Sequence, residues 1–231
     1  MPRGSTGATR ADAVLLQLRA DILNGAIPPG ARLGFADLGS RYAVSSGVLR
    51  EVLPRLVEQG LATAEPQLGF RVVTVSVTDL EELTEARVAL ELIVTELALG
   101  CGDVAWETRL VAAHHTLSRT PMFEPDGSLS QAWLDAHELF HETLWSGSGN
   151  RYLNESAAQL RTVSEVYRCW TREAQIETHR DVAGEHKAIA EAAIERDLAR
   201  CLALVEKHIR TTTELLIATQ PPPASELSQA G

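Results

Sequence analysis

Apolar positions recur along this chain in two rhythms. In the first 75 residues they form short helical stripes broken by turn residues, followed by two brief extended runs. Val14, Leu15, Leu18, Ile22 and Leu23 share one helical face, which predicts a helix over Ala13–Asn24 ended by Gly25 and the turn Pro28-Pro29-Gly30. A short helix is expected over Phe35–Tyr42, then a tight turn at Ala43-Val44. A third helix, capped by Ser45, is expected to run to Gln59 with Val48, Leu49, Val52, Leu53 and Leu56 facing a core. Gly60 closes it, and Leu61–Thr63 and Phe70–Val75 read as two strands around a turn at Pro66–Gly69.

From Asp79 to Thr219 the rhythm is helical throughout. Helices are expected near 79–99, 104–118, 130–146, 151–176, 179–196 and 198–218, with a loop at Pro121 and Pro125 and breaks at Ser148-Gly149-Asn150 and Asp197. The expected fold class is mainly α: an N-terminal winged helix-turn-helix with a small β-hairpin over residues 13–75, and a C-terminal all-α helical bundle over 76–219. Residues 1–12 and 220–231 are poor in large apolar side chains and are expected to be disordered tails.

Composition narrows the partners. The 231 residues are 45% hydrophobic and 23% charged, enough for a sizeable core. No apolar run approaches the ~18 residues of a membrane span, and the first residues lack an export leader. Cys101, Cys169 and Cys201 are too scattered for a disulfide framework, so a reducing, cytoplasmic setting is expected. The net charge of -10 is unevenly spread: residues 1–75 hold 8 Arg against 6 acidic residues, while the remainder holds 13 basic and 25 acidic. Only the first segment can approach a polyanion without strong repulsion.

A winged helix-turn-helix lays its third helix in the major groove, N-terminal residues toward the base edges. Ser45, Ser46 and Gly47 are small and polar at that tip, Arg50 and Arg55 follow on the same helix, Arg32 precedes the helical pair, and Arg71 lies on the wing. These residues point to double-stranded DNA, since Arg suits bidentate contact with phosphate or guanine. The plainer reading makes Ser45 only a cap and Arg55 only a solvated charge.

The histidines concentrate in the helical part. His137 and His141 are four apart on one face, His186 lies with Ile189 and Ala193, and His208 lies near Leu204 and Val205, while the pair His114-His115 cannot both face inward. Three helices thus offer imidazole toward the interior, where it is costly unless paired or metal-bound. Zn, Ni, Cu, Fe or Mn would accept such donors, Zn being the default, and histidines bonded to carboxylates are the alternative. The stretch HELFH also meets the H-E-x-x-H spacing, with Glu138 as base, so a metal-dependent hydrolase is a rival reading. A DNA-binding dimer with an inert helical domain is a third. Trp133, Trp145 and Trp170 are expected in the core or an interface.

ILNGAIPPGARL, LGSRYAVSSGVLREVLPRLVEQGL and PQLGFRV together resemble the DNA-binding domain of GntR-family bacterial transcription regulators. Pro29, Gly30, Leu33, Val44, Ser45, Arg50, Glu51, Gly60, Leu61 and the wing glycine Gly69 match its pattern. Ser46 stands where most members carry Arg, and Val48 where many carry Pro, which implies an unusual operator. The stretches EARVALELIVTELAL, FHETLWSGSGN and EHKAIAEAAIERDLARCLALVEKHI resemble the FCD effector domain of the FadR subfamily. That resemblance implies a divalent metal, Zn first with Ni, Mn or Fe as alternatives, held by His141, His186 and His208, with His137 where the family carries Asp. It also implies Arg87 as a contact for an organic-acid effector, with Asn150, Arg161, Tyr167 and Arg168 as further lining residues. The implied protein is a homodimeric regulator, a repressor in the leading reading, on a palindromic operator, acting without membrane or catalysis.

Overall fold

The computed structural model describes residues 9–23, 25–74, 76–125, 127, 129–168 and 180–218. The chain divides into two compact units, one of Met1–Asp79 with Gln159–Arg172, the other of Leu80–Ala158 with Glu173–Gly231. The first unit thus runs to Asp79 and is joined by a later stretch. Gln159 Nε2 accounts for part of this by donating to the Glu58 carbonyl at 2.9 Å.

The first unit begins with α1 (Arg10–Leu23), α2 (Phe35–Tyr42) and α3 (Ser46–Glu58), followed by β1 (Ala62–Glu65) and β2 (Gly69–Val72). Helix α1 starts three residues earlier than its apolar stripe, which corrects the expected tail over 1–12. The cause is a reciprocal cap: the Thr9 amide donates to the Asp12 carboxylate at 2.9 Å, and the Asp12 amide donates to Thr9 Oγ1 at 3.1 Å. The Thr9 amide and the Thr9 hydroxyl, which donates to the same carboxylate at 2.8 Å, joined by Arg55, hold the Asp12 carboxyl down at about 2. Leu18, Ile22, Leu49, Val52, Leu53, Leu56 and Leu61 form the fully buried core of this unit, whereas Val48 is only half-buried. The hairpin is antiparallel with Ala62 opposite Val72 and Glu65 opposite Gly69. It lies nearer the turn than the sequence pattern suggested, because the Leu61 amide still closes α3 on the Leu56 carbonyl and the Val72 amide donates back to Ala31.

The remaining elements are α4 (Val77–Cys101), α5 (Val104–Arg119), α6 (Gln131–Ser146), α7 (Arg151–Arg168), α8 (Val182–Ile194) and α9 (Leu198–Ala218). Helix α7 ends at Arg168 among the described residues, and the expected stretch 169–176, with Cys169 and Trp170, lies outside them. So do the expected tail over 220–231 and residues 1–8. Helix α8 starts at Val182, three residues later than the pattern suggested, with the Asp181 carboxylate accepting the Gly184 amide at 2.8 Å. None of the described helices is long and apolar enough to cross a membrane.

One indole organises the core of the second unit. Trp106 is 1% exposed, and its Nε1 donates to the Thr143 carbonyl at 2.8 Å. The backbones at Gly102 and Gly147 press so close to its ring that an added Cβ would lie 2.5 and 2.8 Å from ring carbons. Arg196 covers the indole, its guanidinium carbon 4.9 Å from the ring centroid. The same side chain donates to the carbonyls of Leu99 and Gly102 and to the Glu107 carboxylate. These partners hold Arg196 at φ 57, a left-handed conformation that an unbranched arginine adopts only when its surroundings enforce it.

Gly102→Ala must push the Trp106 ring or the Ala98 carbonyl aside, and is expected to lower unfolding free energy by about 1–3 kcal/mol in a denaturant titration. The Asp12 carboxyl is depressed in the folded state, so its contribution is complete above the ordinary carboxylate range and fades as pH falls toward 2. The melting temperature of Asp12→Ala should therefore lie below wild type at pH 6 and converge on it as the pH is lowered past 3.

Candidate metal centre and nucleic-acid face

The third helix of the first unit begins at an exposed tip. Ser45 sits at the N-cap position with extended backbone, φ -74 and ψ 159, but its hydroxyl makes no cap bond. Ser45, Ser46, Gly47 and Arg50 are all exposed, as is Arg32. The turn leading to this tip is fixed from behind: Ala43 takes φ 51, and the Arg10 guanidinium donates to the carbonyls of Tyr42 and Ala43 at 3.3 and 3.4 Å.

The other two candidate arginines of the first unit are engaged within the protein. Arg55 pairs with Asp12 at 2.9 Å, tying α3 to α1. Arg71 donates to the Gly30 carbonyl at 2.6 Å and to Glu65 at 3.3 Å, tying the wing to the Pro-Pro-Gly turn. Gly69 takes φ 93 at the start of β2, a conformation that favours glycine, which explains its place in the wing.

In the second unit four imidazoles converge. His137 and His141 project from α6, His186 from α8 and His208 from α9, and none is more than 4% exposed. One ligand atom from each lies within 4.8 Å of all the others. The Nε2 atoms of His137 and His141 are 3.2 Å apart. Nitrogens around a tetrahedral zinc with bonds of ~2.0–2.1 Å are spaced by roughly 3.3 Å, so this donor set fits one divalent ion with a slight inward movement. Among the described residues no other such group of histidine, cysteine and carboxylate side chains is present. Trp133 stacks on His137 with centroids 4.5 Å apart, and Phe140 lies edge-on to His141 and His186. Trp133 and Trp145 are core residues, as expected. His115 is exposed and His114 half-buried beside Phe140, outside the cluster.

A charged layer absent from the sequence expectations backs His208. Its Nδ1 is 2.7 Å from Glu185 Oε2, and Arg180 pairs with the same carboxylate. Burial raises the Glu185 carboxyl, but the bonds from His208 and Arg180 outweigh it and hold the group at about 2. Glu185 and His208 are 23 residues apart, so no local spacing announces the pair.

Arg87 is buried on α4, and its Nε donates to Glu91 Oε1 at 2.8 Å. The side chains are 9% and 1% exposed, so this is an interior ion pair and not the solvated helix pair that the i,i+4 spacing alone would also allow. Glu91 Oε2 and, one turn on, Thr95 Oγ1 are buried without a hydrogen-bond partner. Asn150 is exposed, and its amide oxygen accepts the Leu153 amide at 3.3 Å, so it caps α7. Arg161 and Tyr167 are buried in the stretch that belongs to the first unit, with Arg161 3.7 Å from Glu165. Burial and the Asp79 charge push the Tyr167 phenol up to about 12. The Arg168 side chain lies outside the described residues. Thus the structure brings the four histidines together within the second unit.

Residues 10–72 match the model of bacterial regulatory proteins of the gntR family, and residues 82–211 match the FCD domain. The HTH-type transcriptional regulator BphR of Paraburkholderia xenovorans is 35% identical over 208 residues, covering 89% of this chain and 84% of that protein. The HTH-type transcriptional repressor GlaR of Escherichia coli is 31% identical over 202 residues, covering 86% and 92% respectively. Among solved structures, McbR/YncC of E. coli shares the fold with a TM-score of 0.75 at 21% identity, over 92% of this chain and 99% of that one. A winged head followed by a helical sensor-type domain defines a transcription regulator of two units. The chain belongs to the GntR family and carries an FCD domain. Its relatives are transcription regulators and not enzymes, which removes the hydrolase reading of HELFH.

Arg87→Leu leaves the Glu91 carboxylate buried without its cation and is expected to cost about 3–5 kcal/mol of stability. Arg87→Leu combined with Glu91→Leu should recover most of that loss in the same denaturant titration.

Proposed function

We propose that this GntR-family regulator is a ligand-responsive repressor whose effector, a small organic acid, binds at a divalent metal held by His137, His141, His186 and His208. The observation that carries the reading is the convergence of four buried imidazoles in a unit that has no part in gripping DNA. A divalent ion there, zinc first with nickel, manganese or iron as alternatives, would supply positive charge, and an acid's carboxylate would join it by expanding four-coordinate zinc to five or by filling the further positions that nickel, manganese or iron offer. The four donors are neutral when they ligate, so they leave that charge undiminished. Arg87 and, on the same face of α4, the unpartnered hydroxyl of Thr95 offer donors to a bound acid.

In the head, Ser45, Ser46, Gly47, Arg50 and Arg32 meet DNA, while Arg55 and Arg71 hold the helix and wing in place. Two copies place two such heads on a palindromic operator in the cytoplasm. The exposed apolar side chains of Ile93 and Leu97 on α4, and of Val104 and Val111 on α5, suit cover by a second copy. The repressor assignment is supported by the name of GlaR. The effector acts by binding one arrangement of the two heads better than the other, since only differential affinity moves such an equilibrium.

The test combines metal analysis with a gel shift on the DNA upstream of the chain's own gene. Wild type should retain about one ion per chain, form a specific complex, and release it on titration with dicarboxylic acids. His141→Ala should lose the ion and the acid response but still bind DNA, whereas Arg50→Ala should bind about tenfold or more weakly. A metal-free wild type whose complex no acid disturbs would leave a DNA-binding dimer with an inert helical domain as the correct description.

A further inference from the structure

We infer that Glu185, itself held by Arg180, is the positioning residue that aims the His208 ligand nitrogen and thereby sets how tightly the histidine centre holds its ion. The inference rests on the metal reading above and adds to it a pair of residues that are not ligands.

Hydrogen counting fixes the arrangement. Against His208 Nδ1 lie Glu185 Oε2 at 2.7 Å and Arg180 Nη2 at 3.3 Å. A guanidinium Nη nitrogen carries two hydrogens. Those of Arg180 Nη2 go to Glu185 Oε2 and to the His208 carbonyl oxygen, the latter at 2.9 Å. None is left for the ring, so the imidazole must itself be the donor, Nδ1–H to Glu185. The lone pair then resides on Nε2, the atom left to join the other three imidazoles. A carboxylate bonded to the far nitrogen of a ligating histidine fixes its tautomer and ring orientation and raises its basicity as a ligand.

Arg180 keeps that carboxylate in place. Its Nε donates to Glu185 Oε1 at 2.7 Å while Nη2 donates to Oε2, which is a two-pronged grip, and its Nη1 donates to Thr212 Oγ1 on α9 at 2.8 Å. Its side chain is 6% exposed, so the grip is shielded from water. The same cation neutralises Glu185, and the carboxylate orients His208 without cancelling the charge that an anionic effector would meet. Glu185 also immediately precedes His186 on α8, so the residue that sets one ligand belongs to the helix that supplies another.

The experiment measures zinc affinity of the full chain by competition with a chromogenic chelator, and reads the His208 tautomer in the metal-free chain by ¹⁵N NMR of the imidazoles. Glu185→Ala should bind zinc about 10–100-fold more weakly than wild type. Glu185→Gln keeps an oxygen that accepts from Nδ1 and should recover most of the affinity, a rescue that loss of fold would not give. Arg180→Gln should lie between. Wild-type His208 should carry its proton on Nδ1, and Glu185→Ala should move population to the Nε2 form. Affinity in folded Glu185→Ala within about twofold of wild type, against that expected loss, overturns the inference while leaving the metal reading intact. So does a wild-type His208 protonated on Nε2. If Glu185→Ala does not fold, a tenfold or larger loss in Arg180→Gln with recovery in Glu185→Gln supports the inference, and wild-type affinity in both overturns it. A wild-type chain that takes up no zinc overturns both together.

Discussion

An imidazole buried away from water must find a partner for each ring nitrogen, and four of them packed around one point compete for the same space. A neutral ring has one donor and one acceptor, so the nitrogens of His137 and His141, 3.2 Å apart, share a hydrogen bond when one ring donates, and both present lone pairs only toward something positive between them. The helices that deliver these rings are fixed by apolar packing: Phe140 and Leu144 on α6, Ile189 and Ala193 on α8, Val205 and Ile209 on α9. The core therefore imposes the convergence, and the polar cost it creates is what a cation would relieve. The fold of the second unit and its candidate chemistry are two sides of one constraint.

Charge is handled in the same manner elsewhere. Arg87 and Glu91 are buried as a pair on α4, and the shielded Arg180 pairs with the half-buried Glu185 behind His208. Either cation alone would be expensive at such depth. Together they present oriented donors and acceptors whose geometry the surrounding helices set. The Trp106 assembly does the corresponding task for the backbone, since Gly102, Gly147 and Arg196 all meet on one indole and so hold the ends of α4, α6 and α8 in register.

Much of this was legible in the sequence because it is periodic. Leu49, Val52, Leu53 and Leu56 announce the buried face of α3, and the i,i+4 pair His137 and His141 announces two imidazoles on one face of α6. Three-dimensional pairings were not legible. Nothing local ties Glu185 to His208, Arg55 to Asp12, or Arg71 to Gly30, so the internal partners of Arg55 and Arg71 appear only in three dimensions. The early start of α1 escaped notice because an apolar stripe marks where a helix is buried, whereas its first turn is decided by the Thr9–Asp12 cap. The cap that Asn150 makes, its amide oxygen accepting the Leu153 amide in the first turn of α7, likewise carries no apolar signal.

The internal engagement of the head's arginines has an electrostatic consequence. Arg41, Arg55 and Arg71 already face carboxylates, and Arg10 faces backbone carbonyls, so the cations left to displace condensed ions from a phosphate backbone are few. Each phosphate neutralised contributes a slope of about 0.9 to the fall of log affinity with log salt. Each of these pairs that persisted against a phosphate backbone would remove one cation from counterion release and flatten the salt dependence of the complex by that amount.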